Sequence, residues 1–205
     1  MNKITLIIVD FQKDFSNSVG KLYVKGSASA RKAIISWIKK HVNEIGEVIF
    51  TIDWHPINHC SFKKNGGIWP NHCIQYSEGA GIDDQIMHTC IDLNIPIKFF
   101  LKGNDYSTEE YGAFEKIGVA PGYNRYFICA NNHNGNSYVV IDNLNLVVCG
   151  IAGDYCVLNT IKNLQKFMSP SNERFNIKVL MDGIPSIDDG TTLKNYINTE
   201  KLEIA

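Results

Sequence analysis

The chain has 205 residues, 44% hydrophobic and 20% charged, with a formal net charge of -1. That is enough for one soluble globular domain with a full core, and a single domain over 1–205 is expected. The basic runs Lys39-Lys40-His41 and Lys63-Lys64 are too short for a nucleic-acid footprint, and the N-terminal apolar run meets Asp10 too soon for a signal peptide or membrane span.

A cytoplasmic location is therefore expected, with neither nucleic acid nor membrane as partner. The six cysteines are scattered without a CxxC pair. They are expected as thiols in a reducing compartment.

In chain order, Ile4–Val9 is a near-continuous aliphatic run. It reads as a strand buried on both faces, as in a parallel sheet. From Ser27 to Val42, apolar residues recur at Ala30, Ile34, Trp37, Ile38 and His41/Val42. That is helical spacing, with Ser27 or Ser29 available as a cap. Glu47–Ile52 is a second strand, ending at Asp53. A loop rich in His, Asn, Gly and Pro runs from Trp54 to about Gly81, and loops of that length are often functional. Pro96–Leu101 is a third strand ending at Lys102-Gly103, and Tyr106–Ile117 is expected as a helix. Tyr138–Ile141 is a short strand after the turn-rich Asn131–Asn136. Asn145–Cys149 is the next core strand and Asp154–Phe167 the helix after it. Phe175–Met181 is the last strand and Thr191–Leu202 the last helix.

Strands alternating with helices, with no composition break, predict an α/β domain in three layers, α/β/α, around a mostly parallel sheet. Ligands bind such sheets beyond the strands' carboxyl ends. Asp10, Asp53, Lys102 and the turn before Cys156 all fall there. Four polar groups distant in sequence are thereby expected on one rim.

The segment Leu146–Val157 reads as strand, glycine turn and helix start, with Cys156 at the helix opening. Free N–H groups at a helix start lower a thiol's pKa and bind a developing oxyanion, which suits a nucleophile. A small buried hydrophobe is the competing reading. Asp10 is either a strand terminator or the carboxylate that takes the thiol proton. Lys102 is either surface charge or the cation that steadies the carboxylate–thiol pair. Asp53 and His55 lie at i and i+2 on one side of an extended segment, with His59 and His72 in the same loop. One carboxylate with two or three imidazoles suits Zn²⁺, Fe²⁺ or Mn²⁺, against the alternative of solvated loop histidines. His41, His88 and His133 are read as structural or exposed. Phe15 and Trp69 are either core or stacking walls for a planar aromatic substrate.

Together these pieces resemble the nicotinamidases of the isochorismatase-like cysteine hydrolases. The matching segments are Val9–Phe15, Asp53–Phe62, Trp69–Cys73, Lys102–Asp105, Tyr111–Phe114 and Cys149–Val157. The resemblance implies a six-stranded parallel sheet, with Asp10 as base, Lys102 as stabiliser and Cys156 as nucleophile. It implies metal ligands at Asp53, His55 and His72, with zinc the first choice; the role of the position matching His59 varies between members. It implies a cis peptide before Ala152, with the N–H groups of Ala152 and Cys156 as the oxyanion hole. Tyr111 joins Phe15 and Trp69 as a substrate-binding residue. The implied reaction is hydrolysis of nicotinamide to nicotinate and ammonia in NAD salvage, with no organic cofactor and in a homo-oligomer. Two rivals are a metal-independent hydrolase of another small amide or vinyl ether, and a catalytically silent ligand-binding protein. The chain departs from the pattern at Gly153, where Thr is usual, and in the long segment Gly118–Asn143.

Overall fold

The aliphatic run Ile4–Val9 forms β1 near the centre of a six-stranded sheet. The computed structural model describes residues 3–119, 126–130, 137–167 and 174–205. The other large-sheet strands are β2 (Ile45–Asp53), β3 (Ile97–Lys102), β7 (Asn145–Gly150), β8 (Asn176–Val179) and β9 (Glu203–Ile204). Their order is β3-β2-β1-β7-β8-β9, and every neighbouring pair is parallel.

Side chains alternate across β1. Ile7 and Val9 pack toward α4 (Leu158–Lys166) and α5 (Thr191–Glu200), while Leu6 and Ile8 pack toward α2 (Ser27–His41) and α3 (Asp84–Asp92). All four are 0% exposed, which is why the run is aliphatic at every position but Thr5 rather than alternating with polar residues. The result is the expected α/β/α sandwich.

A second sheet is antiparallel, with order β4-β5-β6: β4 (Lys116–Val119), β5 (Tyr126–Ala130) and β6 (Ser137–Ile141). It is tied to the large sheet at the end of β6. Lys98 donates to Val140 O at 2.7 Å and pairs with both Asp142 and the buried Glu47. Glu47 also accepts hydrogen bonds from Thr5 Oγ1 and Asp142 N.

Several elements differ from expectation. The expected helix over Tyr106–Ile117 is a loop that leads into β4. Its backbone is committed elsewhere: Asp105 accepts the Ser107 N–H, Glu110 O accepts from Lys102, and Ala113 N donates to Thr160 Oγ1. Side-chain capture of this kind outcompetes the helical i→i−4 ladder. Neither Ser27 nor Ser29 caps α2. Gly26 stands at the N-cap with φ 96°, and the buried Ser27 hydroxyl lies 2.6 Å from Val24 O as donor. The expected helix Asp154–Phe167 is divided into a π turn, Gly153–Val157, and α4. β8 is shorter than Phe175–Met181 because Met181–Gly183 forms a 3-10 turn. α3, capped by Asp83 through the N–H groups of Gln85 and Ile86, was not anticipated, nor were β4, β5 and β9.

The turn-rich Asn131–Asn136 stretch, with His133, lies outside the described residues. His41 pairs with Glu44 and stacks on Trp37. Cys60, Cys73, Cys90, Cys149 and Cys156 are free thiols. Among the described residues, no helix is long and apolar enough to cross a membrane.

Candidate active site

All the large-sheet strands run the same way, so their carboxyl ends share one rim. Asp53 and Lys102 are register partners at the ends of β2 and β3, and Val9, just before Asp10, pairs with Gly150 of β7. Gly150 has φ 124°, and a Cβ there would strike Val9 O, so only glycine turns the chain at this point. The Ile151–Ala152 peptide is cis, as the resemblance implied. The Tyr155 and Val157 N–H groups both donate to Ala152 O, at 3.2 and 3.1 Å, which makes the π turn that carries Cys156.

Asp10, Lys102 and Cys156 meet in this turn's shadow. Lys102 is 2% exposed. Its ammonium lies 2.8 Å from Asp10 Oδ2 and 3.8 Å from Cys156 Sγ, donates to Glu110 O at 3.0 Å, and pairs closely with Asp53. The Cys156 Sγ lies within 4.8 Å of a carboxylate oxygen of Asp10 and of Asp53. Thr51 Oγ1 donates to Asp10 Oδ1 at 2.6 Å and accepts from Asp10 N at 3.2 Å, fixing the carboxylate from behind.

The electrostatics correct one expectation. Cys156 is 8% exposed, and burial pushes its thiol well up, against the pull of Lys102. Burial of the thiol thus opposes the lowering expected at a helix start. Burial also raises the Asp10 carboxyl, opposed by Lys102. Lys102 is held well above its ordinary value: burial would lower it, but Asp10 and Asp53 outweigh that. Asp53 is held well below the carboxylate range by Lys102, then His55 and His72, despite its burial. The resting cluster thus joins a cation, one firmly ionised carboxylate, and a carboxyl–thiol pair poised to exchange a proton.

Beside it, Asp53, His55 and His72 bring one ligand atom each within 4.8 Å of one another, all three buried. Nδ1 of His55 lies 3.0 Å from Gly103 O, and Nδ1 of His72 lies 2.8 Å from Pro70 O. A carbonyl only accepts, so each ring donates there through Nδ1–H and turns a bare Nε2 inward. His55 Nε2 is buried without a hydrogen-bond partner, 3.4 Å from Asp53 Oδ2, and His72 Nε2 is 3.8 Å from the same oxygen. An orphaned buried nitrogen beside a second bare nitrogen and a carboxylate fits a divalent transition metal. His59 is placed differently. Its Nδ1 meets Ser61 Oγ at 2.8 Å and its Nε2 meets Thr108 O at 3.1 Å, so both ring nitrogens are taken while the ring lies against His55.

Two supports could not be found by spacing. Gln12 clamps the Asp53 backbone, accepting from Asp53 N and donating to Asp53 O, both at 2.8 Å. Asp14 Oδ2 accepts Cys73 N at 2.7 Å, anchoring the chain just past His72.

The pocket over Cys156 is lined by Phe15, Trp69 and Tyr111, together with Leu22, Glu109, Tyr155 and Ile187. Trp69 Nε1 donates to Tyr111 Oη at 3.1 Å, and the Tyr155 ring stands edge-on to Trp69 at 5.1 Å. Asp53 and His72 reach the same cavity. Sequence reasoning missed Tyr155 and Ile187. Tyr155 was legible as the neighbour of Cys156, whereas nothing local marked Ile187.

No protein-family model matches the chain. The nicotinamidase of Saccharomyces cerevisiae is 27% identical to it over 224 aligned residues, spanning 96% of this chain and 94% of the relative. The nicotinamidase of Escherichia coli is also 27% identical, spanning 89% of this chain and 83% of the relative. Among solved structures, PnC1 from L. infantum in complex with nicotinate aligns with TM-score 0.70 at 27% identity, covering 100% of this chain and 92% of that one. The chain is similar in sequence to these nicotinamidases and has an isochorismatase-like α/β fold. A pyrazinamidase of Pyrococcus horikoshii in complex with zinc shares that fold, with TM-score 0.67 at 22% identity and covering 99% of this chain and 98% of that one.

Proposed function

We propose that the protein hydrolyses nicotinamide to nicotinate and ammonia through a thioester on Cys156. The observation that carries the reading is convergence. The Asp10–Lys102–Cys156 cluster and the Asp53/His55/His72 set open into one aromatic pocket.

The chain's groups divide the work as follows. Phe15, Trp69, Tyr111 and Tyr155 give planar apolar walls for a pyridine ring. Asp53, His55 and His72 would hold a divalent transition metal, with zinc the first choice, which would supply a Lewis acid for the ring nitrogen. Asp10 takes the Cys156 proton, its carboxylate lying within 4.8 Å of the sulfur. Lys102, 3.8 Å from Sγ, offsets the negative charge that forms. Sulfur adds to the carboxamide carbon, and the N–H groups of Ala152 and Cys156 hold the oxyanion. Asp10 returns the proton to the departing nitrogen, which leaves as ammonia. Asp10 then takes a proton from the water that cleaves the thioester, and the thiol is restored as nicotinate departs.

Ammonia release from nicotinamide by the purified protein tests the reading. Turnover should be lost with a chelator and restored by Zn²⁺, Mn²⁺ or Fe²⁺. Nicotinamide should exceed benzamide in kcat/KM by a wide margin, since only nicotinamide has the ring nitrogen. Absence of ammonia release from metal-loaded, folded protein would refute the assignment.

A further inference from the structure

We infer that the loop Ile184–Asp188 is the specificity wall of the pocket, with Ile187 setting which ring substituents are admitted and Asp154 positioning it. The substrate class in this inference rests on the amidase reading; the wall itself does not.

Ile187 lines the cavity with Cys156, Trp69 and Tyr111, yet it is 48% exposed, so it stands between the pocket and solvent. It belongs to no helix or strand, falling between the Met181–Gly183 turn and α5. Its position is nevertheless fixed, because the loop is fastened to the nucleophile turn at three points. Gly153 N donates to Pro185 O at 2.9 Å, and the Asp154 carboxylate accepts Ile187 N and Asp188 N, each at 2.9 Å. The far end is fastened to α5, where Asp188 accepts Gly190 N at 2.7 Å and Thr192 N at 3.2 Å.

Gly153 lies directly against this loop. A Cβ there would strike Ser186 Oγ and come within 2.9 Å of Ile184 Cγ2. The serine and isoleucine of the loop occupy the space that a larger residue at 153 would need. Glycine lets the loop lie directly on the turn, and the wall's distance from Cys156 follows from that contact. An aliphatic side chain in this place excludes by bulk. A methyl group on the ring edge facing Ile187 would meet it, and one methylene of misfit in an apolar pocket changes kcat/KM by about tenfold or more.

Two readouts test the wall. One is the ratio of Cys156 alkylation rates by N-phenyl iodoacetamide and iodoacetamide, followed by peptide mass spectrometry. The other is the ratio of kcat/KM for 2-, 4-, 5- and 6-methylnicotinamide to that for nicotinamide. Ile187→Ala should raise the alkylation ratio, and the kcat/KM ratio for at least one methyl position, by about tenfold; Ile187→Trp should lower both. Asp154→Ala should shift the ratios in the same direction as Ile187→Ala, chiefly through KM, with Asp154→Asn intermediate because one acceptor remains. Unchanged ratios in both Ile187 variants would overturn the wall. An Asp154→Ala protein that loses activity equally on all substrates, at unchanged ratios, would overturn the positioning role. If the wild-type protein releases no ammonia from nicotinamide, the amidase reading fails, while the alkylation ratio still decides the wall.

Discussion

Lys102 touches Asp10, Asp53, Glu110 O and Cys156 from a position closed to water. It neutralises two buried carboxylates that would otherwise repel each other, so it is a folding residue as much as a catalytic one. Lys102→Met should cost about 3–5 kcal/mol in urea unfolding, the magnitude of stranding a buried charge, and should abolish turnover. His59 gives a pH-dependent counterpart. Burial, reinforced by His55, lowers its pKa from 6.5 to about 4. The unfolded chain then binds the extra proton first, so this contribution is fully present above pH 6.5 and is lost as pH falls toward 4. In chelator-treated protein, His59→Asn should flatten the loss of urea stability between pH 6.5 and pH 4; an unaltered slope would assign that loss elsewhere. The charged residues of the site were legible because Asp, His and Lys are unusual just past an aliphatic strand. Thr51 and Gln12 were not, since a strand threonine and a turn glutamine are ordinary until their partners across the sheet are known.

At the scale of elements, the turn after β3 holds the metal set together. Gly103 has φ 65°, its carbonyl fixes His55 Nδ1, and a Cβ on it would come within 2.7 Å of that nitrogen. Gly103→Ala should therefore destabilise by about 1–3 kcal/mol and lower metal content, measured by unfolding and by elemental analysis. Retained metal at wild-type stoichiometry would show that His55 needs no such room. The central strands were readable from the sequence because burial on both faces forces continuous aliphatic runs. Tyr106–Ile117 was misread as a helix because its partners are tertiary: Lys102 takes Glu110 O, and α4 supplies Thr160 and Asn163 to Ala113. β4 is only four residues long and contains a glycine, whereas β5 carried the apolar run Tyr126–Ala130 in plain view. α3 carried its Asp83 cap and the spacing of Ile86 and Cys90 in plain view.

For the whole molecule, the strand order does what no local motif can. β1, β2, β3 and β7 are neighbours in one parallel sheet, so Asp53 at the end of β2 and Cys156 after β7 reach a single pocket. The three candidate metal ligands, Asp53 on β2 with His55 and His72 in the loop after it, would also couple the site to the fold. Chelation should lower the thermal midpoint, and readdition of metal should restore it in a concentration-dependent way, as for any ligand that binds only the native state. Metal-independent unfolding would separate the ligand set from the fold. The central claim is that Cys156 carries the acyl group, and acid-quenched turnover of nicotinamide followed by peptide mass spectrometry tests it most directly. The account predicts a nicotinoyl adduct on the Cys156 peptide alone, absent in Cys156→Ala, which should release no ammonia. Wild-type turnover without an adduct on that peptide, accompanied by undiminished ammonia release from Cys156→Ala, would contradict it.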